Sequence, residues 1–424
     1  MDNMNKKLEV VIVMVPFPAQ SHLNQLLQFA CLISSSYNLP VYFVGSASHN
    51  HQARVRSNAA LNPSDIAKIH FHDIPTPDFD SPAPDPNSLS KFPAQLIPSY
   101  NACTLLREPI ALLLRELSTK SRRVVVVHDA LMSYNIYLKR LPKLEADAPD
   151  EINKLVDFQL QFRDIGAGDL YNSNKVLEGA SLDLMAKIAS TENKKQWAIG
   201  PILPTKQDHV SDKRNKCLDW LDNQPPRSVI YVSFGSSTTF SDKEVMELAM
   251  GLERSKQKFL WVLRDADRGD IFTGEARRFE LPEGYEERVK GVGLVVRDWA
   301  PQLEILAHPS TGGFMSHCIW NSCIESITMG VPIAAWPMHS EQPLNGFFVT
   351  EILKTGLLVR EWEKREELVT ASVIENAVRK LMASEESDEI RKRAEELGEA
   401  VRQSTEKGGA SRLELDSFIA HRTR

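Results

Sequence analysis

Residues 10–15 (VVIVMV), 41–44 and 124–127 (VVVV) form runs that are apolar at almost every position and rich in β-branched side chains. A half-exposed strand alternates, whereas a run without polar positions suits a strand of a parallel sheet covered on both faces. After the first run, Leu23, Leu26, Leu27, Ala30 and Ile33 recur at helical spacing, a stripe that can lie on such a sheet. Strand followed by helix is the unit of a doubly wound α/β domain. The pattern breaks at residues 197–204 (WAIGPILP) and the polar stretch up to Asn215, where Gly and Pro predict a linker. Apolar runs resume at 228–234, 259–263, 292–297, 331–335 and 357–359, with helical patterns between them. The chain thus reads as α/β, with two Rossmann-like doubly wound domains, 1–203 and 204–424, facing each other across a cleft. Ligands of open α/β sheets bind beyond the carboxyl ends of the strands, so the cleft is the expected site.

Length agrees, since 424 residues exceed one ordinary core and fit two of about 200. With 42% apolar and 25% charged residues, the composition is that of a folded protein. A net charge of −6 without a basic stripe argues against a nucleic-acid partner and favours a small molecule. Cys31, Cys103, Cys217, Cys318 and Cys323 are odd in number and lack CxxC spacing, which fits a reducing, cytoplasmic setting. The apolar run near the N-terminus enters Pro16-Phe17-Pro18 and an amphipathic pattern, so a buried strand is preferred to a signal peptide. No run is long enough to span a bilayer. Residues 384–406 read as a helix with a solvated, charge-paired face, and 78–97 as proline-rich loop.

Residues 317–330 (HCIWNSCIESITMG) carry the most chemistry. A polar cluster opens a helix that Gly330 can end. The free N–H groups and positive dipole of a helix start suit a diphosphate. His317, Asn321 and Ser322 add donors, and Glu325 shares a face with Ser322. On this fragment alone, a capped helix with a buried Trp320 explains the pattern equally well.

The wider window 299–342 (WAPQLEILAHPSTGGFMSHCIWNSCIESITMGVPIAAWPMHSEQ) resembles the donor-binding box of plant UDP-dependent glycosyltransferases, in its length of 44 residues and in about a dozen positions. The resemblance implies a two-domain fold of GT-B type. It places Trp299 against uracil with Ala300 and Gln302 beside the base. It puts His317, Asn321 and Ser322 on the diphosphate, Glu325 on the ribose, and Trp320, Glu341 and Gln342 on the sugar. The terminal glutamine goes with glucose, and residues 233–238 (SFGSST) look like a further phosphate loop bearing Ser236 and Ser237. Residues 16–30 (PFPAQSHLNQLLQFA) are similar to the turn that carries the catalytic base, here His22, oriented by Asp129 of VVVVHDALM. By position alone, His22 sits at a helix N-terminus, whose dipole disfavours imidazolium. The implied reaction is direct displacement on UDP-glucose by an acceptor hydroxyl, with inversion and without a metal or other cofactor. Within the family the likeness runs to zeatin O-glucosyltransferases, a monomer acting on a small hydroxylated acceptor. The last helix is expected to return toward the first domain.

Three departures qualify this reading. Ile319 replaces a glycine at the diphosphate helix, which would cost about 1–3 kcal/mol if the backbone were strained. Ser21 replaces the glycine before the base and could serve as an N-cap. About one strand and helix, ~30 residues, is missing after roughly residue 133. A UDP-sugar-binding homologue with impaired turnover is therefore the alternative. Asp265-Ala266-Asp267 offers a metal-binding DxD and His128-Asp129 a phosphohydrolase pair, but neither has the rest of a site. His317, Cys318 and Cys323 lack zinc spacing. No GxGxxG follows a strand, which disfavours a dehydrogenase.

Overall fold

A computed structural model describes residues 8–57, 61–77, 82–129, 150, 154, 167–191, 194–204, 215–236, 238–264 and 280–423. Strands β1 (Leu8–Val15), β2 (Val41–Ser46), β3 (Ile69–Ile74) and β4 (Ser121–His128) form a parallel sheet in the order β3-β2-β1-β4. The all-apolar run Val10–Val15 within β1 has a direct cause. Val10, Ile12 and Met14 pack with Leu23, Leu27 and Ala30 of the helix Gln20–Tyr37, while Val11 and Val13 pack with Leu113 and Leu117 of the helix Arg107–Lys120. Each such side chain contributes about 1.5–3 kcal/mol on burial, so both faces of the strand are held. Among the described residues, β4 is the last strand of this sheet, and Val126 on it is 41% exposed. Strands β5 (Gly168–Tyr171) and β6 (Lys195–Ala198) pair separately with each other.

The second sheet is also parallel. It contains β7 (Val229–Ser233), β8 (Lys258–Val262), β9 (Gly293–Val296), β10 (Thr311–Ser316), β11 (Ile333–Ala335) and β12 (Gly356–Leu358), in the order β12-β11-β10-β7-β8-β9. In both sheets the order reverses beside the first strand, between β1 and β4 and between β7 and β10. Those two switch points are where ligand crevices form.

The structure differs from the sequence reading in the linker. Trp197 is 3% exposed within β6, where its ring meets Phe418 at 5.3 Å between centroids. Phe418, Leu415 and Ile419 of the helix Ala410–Thr423 lie in one core with Val10, Ile12 and Phe29, so the end of the chain packs on the first sheet. The charged helix Glu385–Thr405 likewise has a buried stripe of Ile390, Ala394, Gly398 and Val401. It presses on the helix Trp320–Met329. A Cβ on Gly398 would stand 2.7 Å from the Ile327 carbonyl oxygen and 2.9 Å from Gly330. Gly398→Ala is therefore expected to lower stability by about 1–3 kcal/mol, read as a lower midpoint in denaturant unfolding at unchanged slope.

Candidate functional site

The first half of the site grows from the β1–β4 switch point. β1 ends at Val15, the chain turns through Pro16–Pro18, and the helix Gln20–Tyr37 begins with Ala19 as its N-cap. Ser21 therefore lies inside the first turn and does not cap the helix. Its carbonyl accepts a hydrogen bond from Asn321 Nδ2 at 3.0 Å, and any residue can supply that carbonyl. Its φ is not left-handed, so a glycine is not required there.

His22 occupies the next position. Its Nδ1 lies 2.7 Å from Asp129 Oδ2, just past β4, with side-chain exposures of 30% and 16%. A carboxylate can only accept, so Nδ1 carries the hydrogen and Nε2 keeps a free lone pair. Burial lowers the imidazole pKa, but the charge of Asp129 and its hydrogen bond outweigh this, and Glu341 adds to them, so the group ends above its usual value. The net direction is thus opposite to the lowering that the helix dipole alone would give. Burial raises Asp129, yet His22, through charge and hydrogen bond, and the Phe17 backbone leave it below the usual carboxylate range.

The second half grows from the β7–β10 switch point. The helix Trp320–Met329 starts after β10 with Ile319 as N-cap, and no side chain caps it. The first bond at this end runs from Cys323 N–H to the Ile319 carbonyl, which leaves the N–H groups of 320–322 outside the helical ladder. Ile319 has φ −61° and ψ 143°, ordinary extended backbone. The left-handed residue is Cys318, at φ 64°. The anticipated backbone strain at Ile319 is therefore absent, and its consequence is confined to the bulk of its side chain.

His317 is 3% exposed and its Nδ1 has no partner. Burial, with His339 nearby, lowers its pKa to about 3, so it is a neutral group at physiological pH. Gly235 permits its position: at φ 76°, a Cβ there would stand 2.6 Å from His317 Nε2. Ser236 follows on the same loop, partly exposed, while Ser237 lies outside the described residues. Thr238 and Thr239, which the sequence reading did not single out, bury hydroxyls without partners on this loop. The run of hydroxyl residues after β7 is the signal that could have found them.

Gln302 Nε2 donates to Ser322 Oγ at 3.1 Å and to Glu325 Oε2 at 2.8 Å. Burial raises Glu325 to about 7, against the lowering effect of the Gln302 bond. Trp299 is 37% exposed with the Arg264 guanidinium 5.4 Å from its ring, and Ala300 beside it is buried. An open indole face of this kind can take a planar base.

Trp320 and Asn321 are committed across the cleft, Trp320 through Nε1–H to the Asn172 carbonyl at 2.8 Å and Asn321 to Ser21. Glu341 is partly buried, its pKa raised by burial and drawn back by His22, so donor-side and base-side groups share one field. Gln342 is 1% exposed. Its Oε1 accepts the N–H groups of Met338 and His339, and its Nε2 lies 3.3 Å from His339 Nε2, so the amide braces its own loop and keeps one free hydrogen. The structure thus brings together His22, Asp129, Asn321 and Glu341 on one side, and Gln302, Ser322 and Glu325 on the other.

Asp265 and Asp267 lie outside the described residues. Among the described residues no helix is long and apolar enough to cross a membrane.

Two parallel sheets, with an imidazole–carboxylate pair at one switch point and a helix N-terminus with orphaned donors at the other, fit the two-domain GT-B architecture that the resemblance implied. Sequence comparison agrees. Residues 204–391 match the family "UDP-glucoronosyl and UDP-glucosyl transferase", and a glycosyltransferase N-terminal domain matches in two pieces, 8–146 and 135–204. A zeatin O-glucosyltransferase of Phaseolus lunatus is 47% identical over an alignment of 455 positions, gaps included, covering 97% of each chain. A zeatin O-xylosyltransferase of Phaseolus vulgaris is 46% identical, covering 99% of this chain and all of that one. The UDP complex of a Siraitia grosvenorii transferase superposes at TM-score 0.77 with 27% identity, over 98% of this chain and 100% of that one. The chain belongs to the plant UDP-glycosyltransferase family.

Proposed function

We propose that the chain transfers glucose from UDP-glucose to the side-chain hydroxyl of a zeatin-type acceptor, by a single displacement that inverts the anomeric centre. The observation that carries this reading is the 2.7 Å contact between His22 and Asp129, opposite the donor-rich start of the helix Trp320–Met329. His22 Nε2 takes the hydroxyl proton while Asp129 steadies the imidazolium that forms. The acceptor oxygen bonds to the anomeric carbon as the bond from that carbon to the diphosphate oxygen breaks, and UDP departs. The N–H groups of 320–322, with His317, Ser322, Ser236, Thr238 and Thr239, face the charge that builds on the leaving diphosphate. The glucose assignment rests on Glu341–Gln342 and on the first relative above. The xylose-named relative makes the donor sugar the point to test. Incubation with equimolar UDP-glucose and UDP-xylose plus zeatin, read by product mass and anomeric proton coupling, should give the β-glucoside. A pentoside would reject the donor assignment, and an α-linked product would reject inversion.

Glu325 gives the donor site a pH dependence. Its carboxyl accepts ribose hydroxyls most strongly, and with both oxygens, when ionised, and burial places its titration near 7. UDP affinity is therefore expected to weaken as pH falls below about 7 and to level off above it. In Glu325→Gln the limb near 7 should be lost, leaving only the dependence set by the terminal phosphate of UDP, whose second ionisation lies at about 6, as measured by calorimetry across pH 5.5–8.5.

A second reading, donor binding with impaired turnover, draws on the two-piece match of the N-terminal domain and on Val126, 41% exposed on β4. Both fit loss of a strand and helix after β4. Against it, Asp129 keeps its contact with His22 and its N–H bond to the Val15 carbonyl, so the base is still oriented.

A further inference from the structure

Lys91 and Phe92 reach from the loop of the first domain into the donor side of the second. Lys91 Nζ lies 2.8 Å from Glu244 Oε2, and the two side chains are only 10% and 15% exposed. Glu244 belongs to the capping box of the helix Asp242–Ser255, where the same oxygen accepts Ser241 N–H at 2.7 Å and Ser241 Oγ–H at 2.8 Å. That helix begins directly after the hydroxyl-rich loop 236–240. The adjacent Phe92 sets its ring edge-on to His339, with centroids 5.7 Å apart. His339 in turn is tied to Ser340 and Gln342, so Phe92 bears on the loop that carries Glu341 and Gln342. On its own side, Phe92 packs in a cluster with Phe17 and Tyr100. Phe17 stands edge-on to His22 at 5.4 Å.

We propose that Lys91 and Phe92 are positioning residues: a two-point clamp, anchored through Glu244 on the helix Asp242–Ser255, that holds the sugar-facing loop 338–342 in register with the base. Surface ion pairs contribute little, but this pair is largely out of water, where a missing partner leaves a poorly solvated charge. Because Phe92 joins the base-side cluster to the sugar-facing loop, the clamp fixes the sugar relative to His22 and leaves the nucleotide contacts untouched. Displacement of a reacting group by about 1 Å can cost about 100-fold in rate, so a loosened clamp should act on kcat and on the sugar, not on the nucleotide. The inference rests on the reading of 338–342 as the sugar loop.

The test uses the full chain carrying Lys91→Met, Phe92→Ala or Lys91→Arg. Each is measured for UDP affinity, UDP-glucose affinity, thermal midpoint and kcat. Glu244 keeps both Ser241 bonds in Lys91→Met, so the helix cap should survive. The expected result is UDP affinity within twofold of the parent for all three proteins. In Lys91→Met and Phe92→Ala the ratio of UDP-glucose to UDP affinity should shift about tenfold, with kcat reduced by about tenfold or more. Lys91→Arg should restore both. An unchanged affinity ratio, or equal loss of UDP and UDP-glucose binding, would overturn the clamp, as would failure of arginine to rescue. If the unaltered protein binds UDP-glucose but turns over no acceptor, the transferase reading fails, while the affinity ratio still decides the clamp.

Discussion

His22→Ala is expected to lower kcat by about 10³-fold while leaving UDP binding within a factor of two. Positioned general bases contribute about 10²–10⁴-fold. Asp129 faces the other ring nitrogen and is held below the usual carboxylate range, which makes it a weak base. Among the described residues the ring of His22 meets Asp129 and Phe17, both of the first domain, so affinity for UDP should persist. Steady-state kinetics with saturating zeatin, beside calorimetry with UDP, checks both halves. Loss of UDP binding together with kcat would mean that the residue supports the fold instead of the chemistry.

Asp129→Asn should reduce kcat by about 10²-fold or more and also move the pH profile. The imidazole is raised above its usual value of about 6.5 by Asp129 and Glu341. A general base works only when deprotonated, so kcat/KM of the parent should climb with pH through a midpoint above 6.5 and then level off. The amide removes the main raising influence, leaving burial to lower the imidazole. The acid limb should then slide to lower pH, below that of the parent, while the plateau drops because the imidazolium has lost its stabilising partner. A profile whose midpoint stays put would show that another group governs the limb.

Much of the scaffold is legible in the apolar runs, because β1 and β7 are buried on both faces and their stretches Val10–Val15 and Val229–Val232 carry no charged position to confuse the pattern. β3 and β10 are harder to read. β3 (IHFHDI) has a neighbouring strand on one side only and carries two histidines and an aspartate. β10 (TGGFMS) lies inside its sheet but uses glycines where a Cβ on Gly312 would stand 2.2 Å from the Arg227 carbonyl oxygen. Close approach of two backbones therefore erases the strand signal at the centre of the donor domain. The start of the diphosphate helix is readable as local chemistry. The partnership of His22 with Asp129, 107 residues apart, is not; only family resemblance joins them. The Lys91–Glu244 contact, 153 residues apart, depends on how the two domains meet, which no local pattern encodes. Ile319 shows the opposite case. The sequence suggests strain from a lost glycine, while the backbone places its left-handed residue one position earlier, at Cys318.

The measurement that bears most directly on the transferase reading is UDP release by the purified full-length protein from UDP-glucose, with and without zeatin. The account predicts release that depends on the acceptor, saturates with it, and is matched mole for mole by glucoside. Absence of zeatin-dependent release from protein that is folded and binds UDP would contradict it, and would establish the donor-binding homologue without turnover in its place.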